Sequence, residues 1–421
     1  MASGSYSVRS FFFSIRLLYA IMTVDITRSA RKEAPAVPLP GLYIHIPFCS
    51  VKCPYCDFYS VAGREETMEA YTDHLCRLLR GLPEEFPGFT ADSIYFGGGT
   101  PSLLGARRLN RILETAVKAV SFPGEGEITL EANPGAMPDR FPESTVTPQM
   151  LRSLRAGGFN RISFGLQSAD PQELGFLGRK HSAAEGLEAA HMAYDAGFTD
   201  ISLDLMLGLA GQTEETLSRS IAACAATPAN HLSAYLLKVE ENTLFYRREV
   251  WNQCPDEDRQ AELYLHAVRE MERHGFMQYE ISNFAKNGRV GRHNLKYWDS
   301  TGYLGIGPAA HSFWENKRLS IPRSLKDFMA AETLRSIMTV EDEGGDAEEY
   351  LMLRLRLTEG VKAAALAQRH PEMDWNALCR KAKLYEKAGL IRLDPDPQTG
   401  FIAFTPEGFL VSNALIARLC D

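Results

Sequence analysis

The chain has 421 residues, of which 45% are hydrophobic and 23% charged, and its formal net charge is −8. That length supports a large domain plus a smaller one, and the balance suits a globular protein. The acidic excess argues against a nucleic-acid polyanion as the main partner, and no run of eighteen uncharged apolar residues marks a membrane span.

The first forty residues differ from the rest. No acid precedes Asp25, while Arg9 and Arg16 are basic. The apolar stretch 11–24 is broken by Arg16, so it is too short and too interrupted to cross a bilayer. It imitates a signal or transit peptide, or is an upstream extension with Met22 as the working start. Residues 1–40 are expected to be poorly ordered and to carry no chemistry.

Residues 42–60, LYIHIPFCSVKCPYCDFYS, hold three of the eight cysteines, Cys49, Cys53 and Cys56, spaced C-x3-C-x2-C. Three thiolates this close can converge on one metal centre. A [4Fe–4S] cluster normally takes four cysteines, so three would leave one iron open to another ligand. Pro54 lacks an N–H, which makes the segment a loop rather than a helix. Phe48, Tyr55, Phe58 and Tyr59 would help keep water away. Zinc is the alternative, with His45 as the only near fourth ligand, and buried structural thiols are another. A disulfide leaves one of the three cysteines over. The other five, Cys76, Cys224, Cys254, Cys379 and Cys420, are scattered. Free thiols point to a reducing compartment, hence to the cytoplasm.

Beyond the loop, Met68, Tyr71, Leu75 and Leu78 recur at helical spacing. A strand over 93–96 runs into a glycine turn, and 109–120 repeats as a helix. A strand over 128–131 precedes a helix over 148–155. A strand over 161–167 leads to a helix opened by the capping pair Ser182 and Glu185. A strand over 200–207 ends at a loop where Thr213 caps a helix over 214–226. The stretch 232–239 is the sixth strand. Six strands alternating with helices mean parallel strands joined by right-handed crossovers, in a doubly wound sheet or a barrel. Ligands then bind at the carboxyl ends of the strands, where Gly97–Thr100, Glu131, Asn133, Gln167 and Ser168 fall, with Asp204 inside the fifth strand.

Residues 279–313 are aromatic and glycine-rich, without the periodicity of one long element. Within them HNLKYW sets His293 and Tyr297 four apart, on one face if helical. A histidine among aromatics is more often a packing residue than a ligand. From about residue 322 short amphipathic helices and a hairpin suggest a winged-helix-like module. It carries 13 Lys and Arg against 16 Asp and Glu, so it lacks the electrostatic footprint of DNA binding.

The cysteine motif after an apolar strand resembles the radical S-adenosylmethionine (SAM) superfamily. The string YIHIPFC…KCPYCDF is similar to its oxygen-independent coproporphyrinogen III oxidase-like branch. The resemblance covers residues 41–421. It implies an α/β fold: an incomplete six-strand parallel β/α barrel with a C-terminal helical, winged-helix-like domain. The implied division is 41–245 for the barrel, 246–321 for a segment carrying HNLKYW, and 322–421 for the C-terminal domain. It also implies that Cys49, Cys53 and Cys56 hold a [4Fe–4S] cluster whose open iron is chelated by SAM, and that an electron from the cluster cleaves SAM to a 5′-deoxyadenosyl radical. Gly98, Gly99 and Thr100 match the glycine element that contacts the methionine amino group. Tyr43, Glu131, Gln167, Arg179 and Asp204 match further SAM contacts, and Tyr55 counts with the cofactor shell. H-N-x-x-Y-W resembles the HemW-type heme chaperones, which implies heme binding involving His293, with His311 a second candidate. In the coproporphyrinogen III dehydrogenases a further cysteine follows two positions after the third, and here that position is Phe58. The resemblance therefore favours a heme chaperone with a heme-acceptor protein and a reductant for the cluster as partners. The dehydrogenase is the alternative.

Overall fold

The computed structural model describes residues 38–135 and 145–420. The expectations placed on residues 1–37 lie outside the described residues. Leu39–Asp421 form one compact unit. Six parallel strands, β1 (Gly41–Ile46), β2 (Ser93–Gly98), β3 (Glu127–Ala132), β4 (Arg161–Gln167), β5 (Asp200–Leu207) and β6 (His231–Leu236), lie side by side in sequence order. A doubly wound sheet reverses its strand order part-way. This one does not, so the α/β alternation builds a barrel wall. The wall stays incomplete. β6 takes the antiparallel strand Asn283–Ala285 on its outer edge. β1 pairs on its other side with a seventh parallel strand, β7 (Tyr303–Ile306), which leads into antiparallel strands.

Each strand alternates. Ile94 and Phe96 of β2, Ile162, Phe164 and Leu166 of β4, and Ile201, Leu203, Leu205 and Leu207 of β5 are buried in the main apolar core. The positions between them, Met206 apart, are polar or small and turn the other way, because side chains alternate across a strand. Helices α1 (Glu65–Glu85), α2 (Gly105–Ala119), α3 (Pro148–Gly157), α4 (Ala183–Asp195) and α5 (Glu214–Ala225) connect the strands and contribute Leu75, Leu109, Leu154, Ala190 and Leu217 to that core. Their caps are local. Ser182 and Glu185 form the anticipated reciprocal pair, and Thr213 accepts from Thr216 N.

The stretch 279–313 resolves into short elements that periodicity could not reveal. They include Asn283–Ala285, α7 (Arg292–Trp298) after the longer α6 (Glu257–Arg273), and β7. After residue 322 come Ala347–Arg354, Ala363–Arg369 and Trp375–Glu386, and the hairpin Ile391–Asp394 with Phe401–Phe404. Val361–Lys362 adds a third strand. The final helical stretch breaks into Pro406–Leu410 and Ser412–Cys420. No helix among the described residues is long and apolar enough to cross a membrane.

Thr213→Ala removes the α5 cap and is expected to cost about 1 kcal/mol. Urea unfolding should show a lower midpoint with an unchanged slope.

Candidate functional site

The inward-facing positions leave a cavity of about 570 Å³ inside the barrel. At its mouth lie Cys49, Cys53 and Cys56; along its walls lie Gly98, Gly99, Thr100, Glu131, Asn133, Gln167, Arg179 and Asp204. Tyr55 also lines it. The strand-end residues singled out from sequence thus share one space with the thiols, except Gly97 and Ser168; the Ser168 hydroxyl turns to Glu173 Oε2 (2.6 Å) instead.

The cysteine segment is a loop, as Pro54 requires, with a turn closed by Cys56 N donating to Cys53 O at 3.1 Å. Its base is clipped where Phe48–Cys49 pairs with Val61–Ala62. Arg323 Nη2 donates to Asp57 O (2.6 Å), and Leu325 N to Tyr59 Oη (2.7 Å). Phe48 is fully buried, but Phe58 is 69% exposed and does not shield the loop. His45 is no fourth ligand. Its Nδ1 meets Tyr43 Oη (3.0 Å) and its Nε2 meets Tyr59 O (3.2 Å). Burial brings its pKa down to about 4. Among the described residues no three Cys, His, Asp or Glu side chains gather tightly enough to hold a single metal ion.

Glycines make the walls. Gly98 has φ +112°, and a Cβ there would stand 2.6 Å from the His45 ring. At Gly165 a Cβ would meet Gln167 Nε2 (2.9 Å) and Asn133 Oδ1 (3.1 Å), so polar groups converge where a side chain is missing. Gln167 itself sits at φ +72°, an uncommon left-handed conformation for a non-glycine residue, beside a break in the β4–β5 register. Arg179 spans the mouth. Its Nη2 donates to Asn133 Oδ1 (2.8 Å) and Gly165 O (2.7 Å), and its Nη1 to Cys53 Sγ (3.5 Å). Its Nε is buried with no partner.

Glu131 Oε1 accepts from Tyr95 Oη (2.7 Å) and Oε2 from Gly98 N (3.2 Å). Burial, with Asp204 adding to it, pushes the Glu131 carboxyl up to about 7. Asp204 accepts from Ser163 Oγ (2.9 Å), and burial pushes its carboxyl up to about 6. Burial likewise raises the thiols of Cys49 and Cys56. Acids and thiols held above their usual range in one cavity call for cationic ligands, which would favour their charged forms.

Tyr43, His293 and His311 stand off the wall. Tyr43 is turned to His45, its ring 6.1 Å from that of Tyr95. His293 is 0% exposed, with Nδ1 on Ser93 Oγ (2.9 Å) and Nε2 on Tyr297 Oη (2.9 Å). Neither ring nitrogen is open to a heme iron in this conformation. Its neighbour Asn294 is the member of HNLKYW that lines the cavity. His311 is exposed on β-structure outside the cavity. Sequence reasoning passed over Tyr95, Thr129, Arg161, Ser163, Ser202 and Ser233, which also line the space. The signal was there: polar or small residues at every second position of strands otherwise made of Ile, Leu and Phe.

The Radical SAM superfamily profile matches residues 43–224, and the HemN C-terminal domain profile matches residues 346–411. The heme chaperone HemW of Mycobacterium tuberculosis is 34% identical over 93% of this chain and 99% of its own. The chain belongs to the HemW family of radical SAM proteins. HemW of Escherichia coli is 37% identical over 77% of this chain and 84% of its own. The solved coproporphyrinogen III oxidase HemN of Escherichia coli shares the fold, with a TM-score of 0.75 at 19% identity over 91% of this chain and 90% of that one. Radical SAM membership brings a [4Fe–4S] cluster and SAM. The site suits both. Cys49, Cys53 and Cys56 offer three sulfur donors around one opening, and the glycine turn, the unpartnered Arg179 Nε and two carboxyls surround the space beside them. When bound, the pair supplies one-electron reduction of a sulfonium. This chain's residues would hold, orient and desolvate it.

Two outcomes follow for the HemW-family site. Both carboxyls have raised folded pKa values, so their contribution to stability is full below about pH 4 and is lost as pH rises through about 6 and 7. Unliganded protein is expected to lose stability across that window in urea titrations, and Glu131→Gln to flatten the loss. Gly98→Ala is expected to weaken SAM binding at least about tenfold, measured by equilibrium dialysis on cluster-loaded protein, because both the left-handed φ and the His45 ring oppose a Cβ.

Proposed function

We propose that this protein is a heme chaperone: it holds a [4Fe–4S] cluster and SAM at the barrel mouth, binds heme, and passes heme to an acceptor protein. A reductant for the cluster and a cytoplasmic setting belong to the same reading. So does the division into a barrel over 41–245, a connecting segment over 246–321 and a C-terminal domain over 322–421. One observation carries the choice over coproporphyrinogen III dehydrogenation. Phe58 occupies the position two after Cys56, where the dehydrogenases place another cysteine, and it stands 69% exposed at the rim of the cavity.

The rim favours a flat, largely apolar ligand bearing acids. Val51 and Phe58 on the cluster loop face the same opening as Tyr235 and Leu236 at the end of β6. All four are large and exposed, where such side chains are usually covered. Lys52, which donates to Phe58 O (3.0 Å), and Lys238, paired with Glu240 Oε1 (2.7 Å), stand beside them and would exchange those exposed partners for two propionates. This reading puts heme at the mouth and not on His293.

Anaerobically reconstituted protein is expected to bind heme in near-equal amount by Soret titration and to give no protoporphyrinogen from coproporphyrinogen III. Phe58→Asp should weaken heme binding about tenfold, roughly the worth of one aromatic face against the macrocycle. Iron and sulfide content should stay unchanged. Turnover of coproporphyrinogen III would overturn the proposal.

A further inference from the structure

Helix α7, which carries HNLKYW, closes the end of the barrel opposite the cysteines. Its first backbone amides, Arg292 N and His293 N, donate to Glu127 Oε2 and Oε1, both at 2.9 Å. Glu127 is the first residue of β3, so this anchor sits at the amino edge of the sheet. Lys296 Nζ reaches Leu39 O (2.6 Å) and Asp92 Oδ1 (2.5 Å).

These ties press the His293 ring into a socket. Gly41 of β1 forms one wall, and a Cβ there would lie 2.9 Å from His293 Cε1. Ser93 and Tyr297 take the two ring nitrogens. Burial, then Lys296, brings the imidazole pKa down to about 3, so the ring stays neutral. A neutral ring bonded at both nitrogens and packed on glycine has no freedom to swing.

The other face of the imidazole lies on Tyr95. The ring centroids are 5.2 Å apart and the planes 28° from parallel. Tyr95 is two residues from Ser93 on β2, so both touch His293 from the same side of the strand. The Tyr95 hydroxyl donates to Glu131 Oε1, and Glu131 Oε2 receives Gly98 N. Gly97 gives the passage room, since a Cβ there would come 2.9 Å from the Tyr95 ring and 3.2 Å from Glu131 Oε1. A continuous set of contacts thus runs from the floor of the barrel to the glycine turn at its mouth.

We infer that His293 is a positioning residue for the SAM site: its stack on Tyr95 fixes the phenol, the phenol fixes Glu131, and Glu131 fixes the Gly98 turn. His293 then acts on the mouth through Tyr95 and Glu131, without itself touching cofactor or heme. This inference rests on the mouth being the SAM site.

The test uses the full chain with its cluster reconstituted. SAM affinity is read from the change SAM makes to the EPR spectrum of the reduced cluster, and heme affinity from the Soret band. A wild type without a SAM-dependent spectrum would refute the site reading and not this coupling. Given that spectrum, Tyr95→Phe and His293→Ala are each expected to lower SAM affinity about tenfold, the scale of one hydrogen bond to a charged group. The double variant should lose no more than either alone, since both break one chain of contacts. His293→Gln, which keeps a flat hydrogen-bonding group on Tyr95, should recover most of the loss. Iron and sulfide content should be constant throughout. Where His293→Ala does not hold its cluster, Tyr297→Phe replaces it. That variant removes only the Nε2 partner and should cost a few-fold in SAM affinity, an effect absent in a Tyr95→Phe background. Unchanged SAM affinity in the histidine and Tyr297 variants would overturn the inference. Losses that multiply to about a hundredfold would too, as would loss of heme binding with SAM binding intact.

Discussion

The barrel stays hollow only because its inward positions refuse to fill it. Small or polar residues, Gly97, Thr129, Ser163, Gly165, Ser202 and Ser233, replace the branched side chains that pack the interior of most closed α/β barrels. Outward positions of the same strands bury Ile, Leu and Phe against the helices. Each strand therefore does two incompatible things on its two faces, and the alternation of side chains across a strand allows both. A slip of one residue in any pairing would exchange the faces. It would bury serines and carboxylates under helices and leave leucines lining the cavity.

The same pattern gathers unsatisfied charge. Glu131, Asp204 and two thiols sit in a space that raises their pKa values, and Arg179 spans it with one nitrogen unpaired. Without a ligand this arrangement is a cost, because low dielectric penalises each ionised group. A cluster and a cationic sulfonium reverse the balance. Under the proposed reading, the features that weaken the unliganded protein are those that would give it affinity, and the hydrogen bonds from Tyr95 and Gly98 hold the central carboxyl in place.

Much of this could be read from the chain. Strand limits at residues 161–167 and 200–207 coincide with those observed, because both runs are long, strongly apolar on one face and bounded by glycine or turn residues. The cysteine spacing and the strand-end polar residues gave the mouth. Two things stayed hidden. β7 has four residues with a glycine inside it, so no period could show it. The role of His293 depends on Gly41 and Ser93, some two hundred residues or more earlier, and only folding brings them together. Nor could spacing show that the Tyr43 hydroxyl meets His45, two residues along the same strand.

The loop that carries the three cysteines is fastened from far along the polypeptide. Arg323 and Leu325 supply two of its ties, some 266 residues after Asp57 and Tyr59. A ribosome releases the thiols early and the fasteners late. Iron arriving on a half-made chain meets a loop without those two restraints, so cluster assembly on a fully shaped loop belongs to the finished polypeptide.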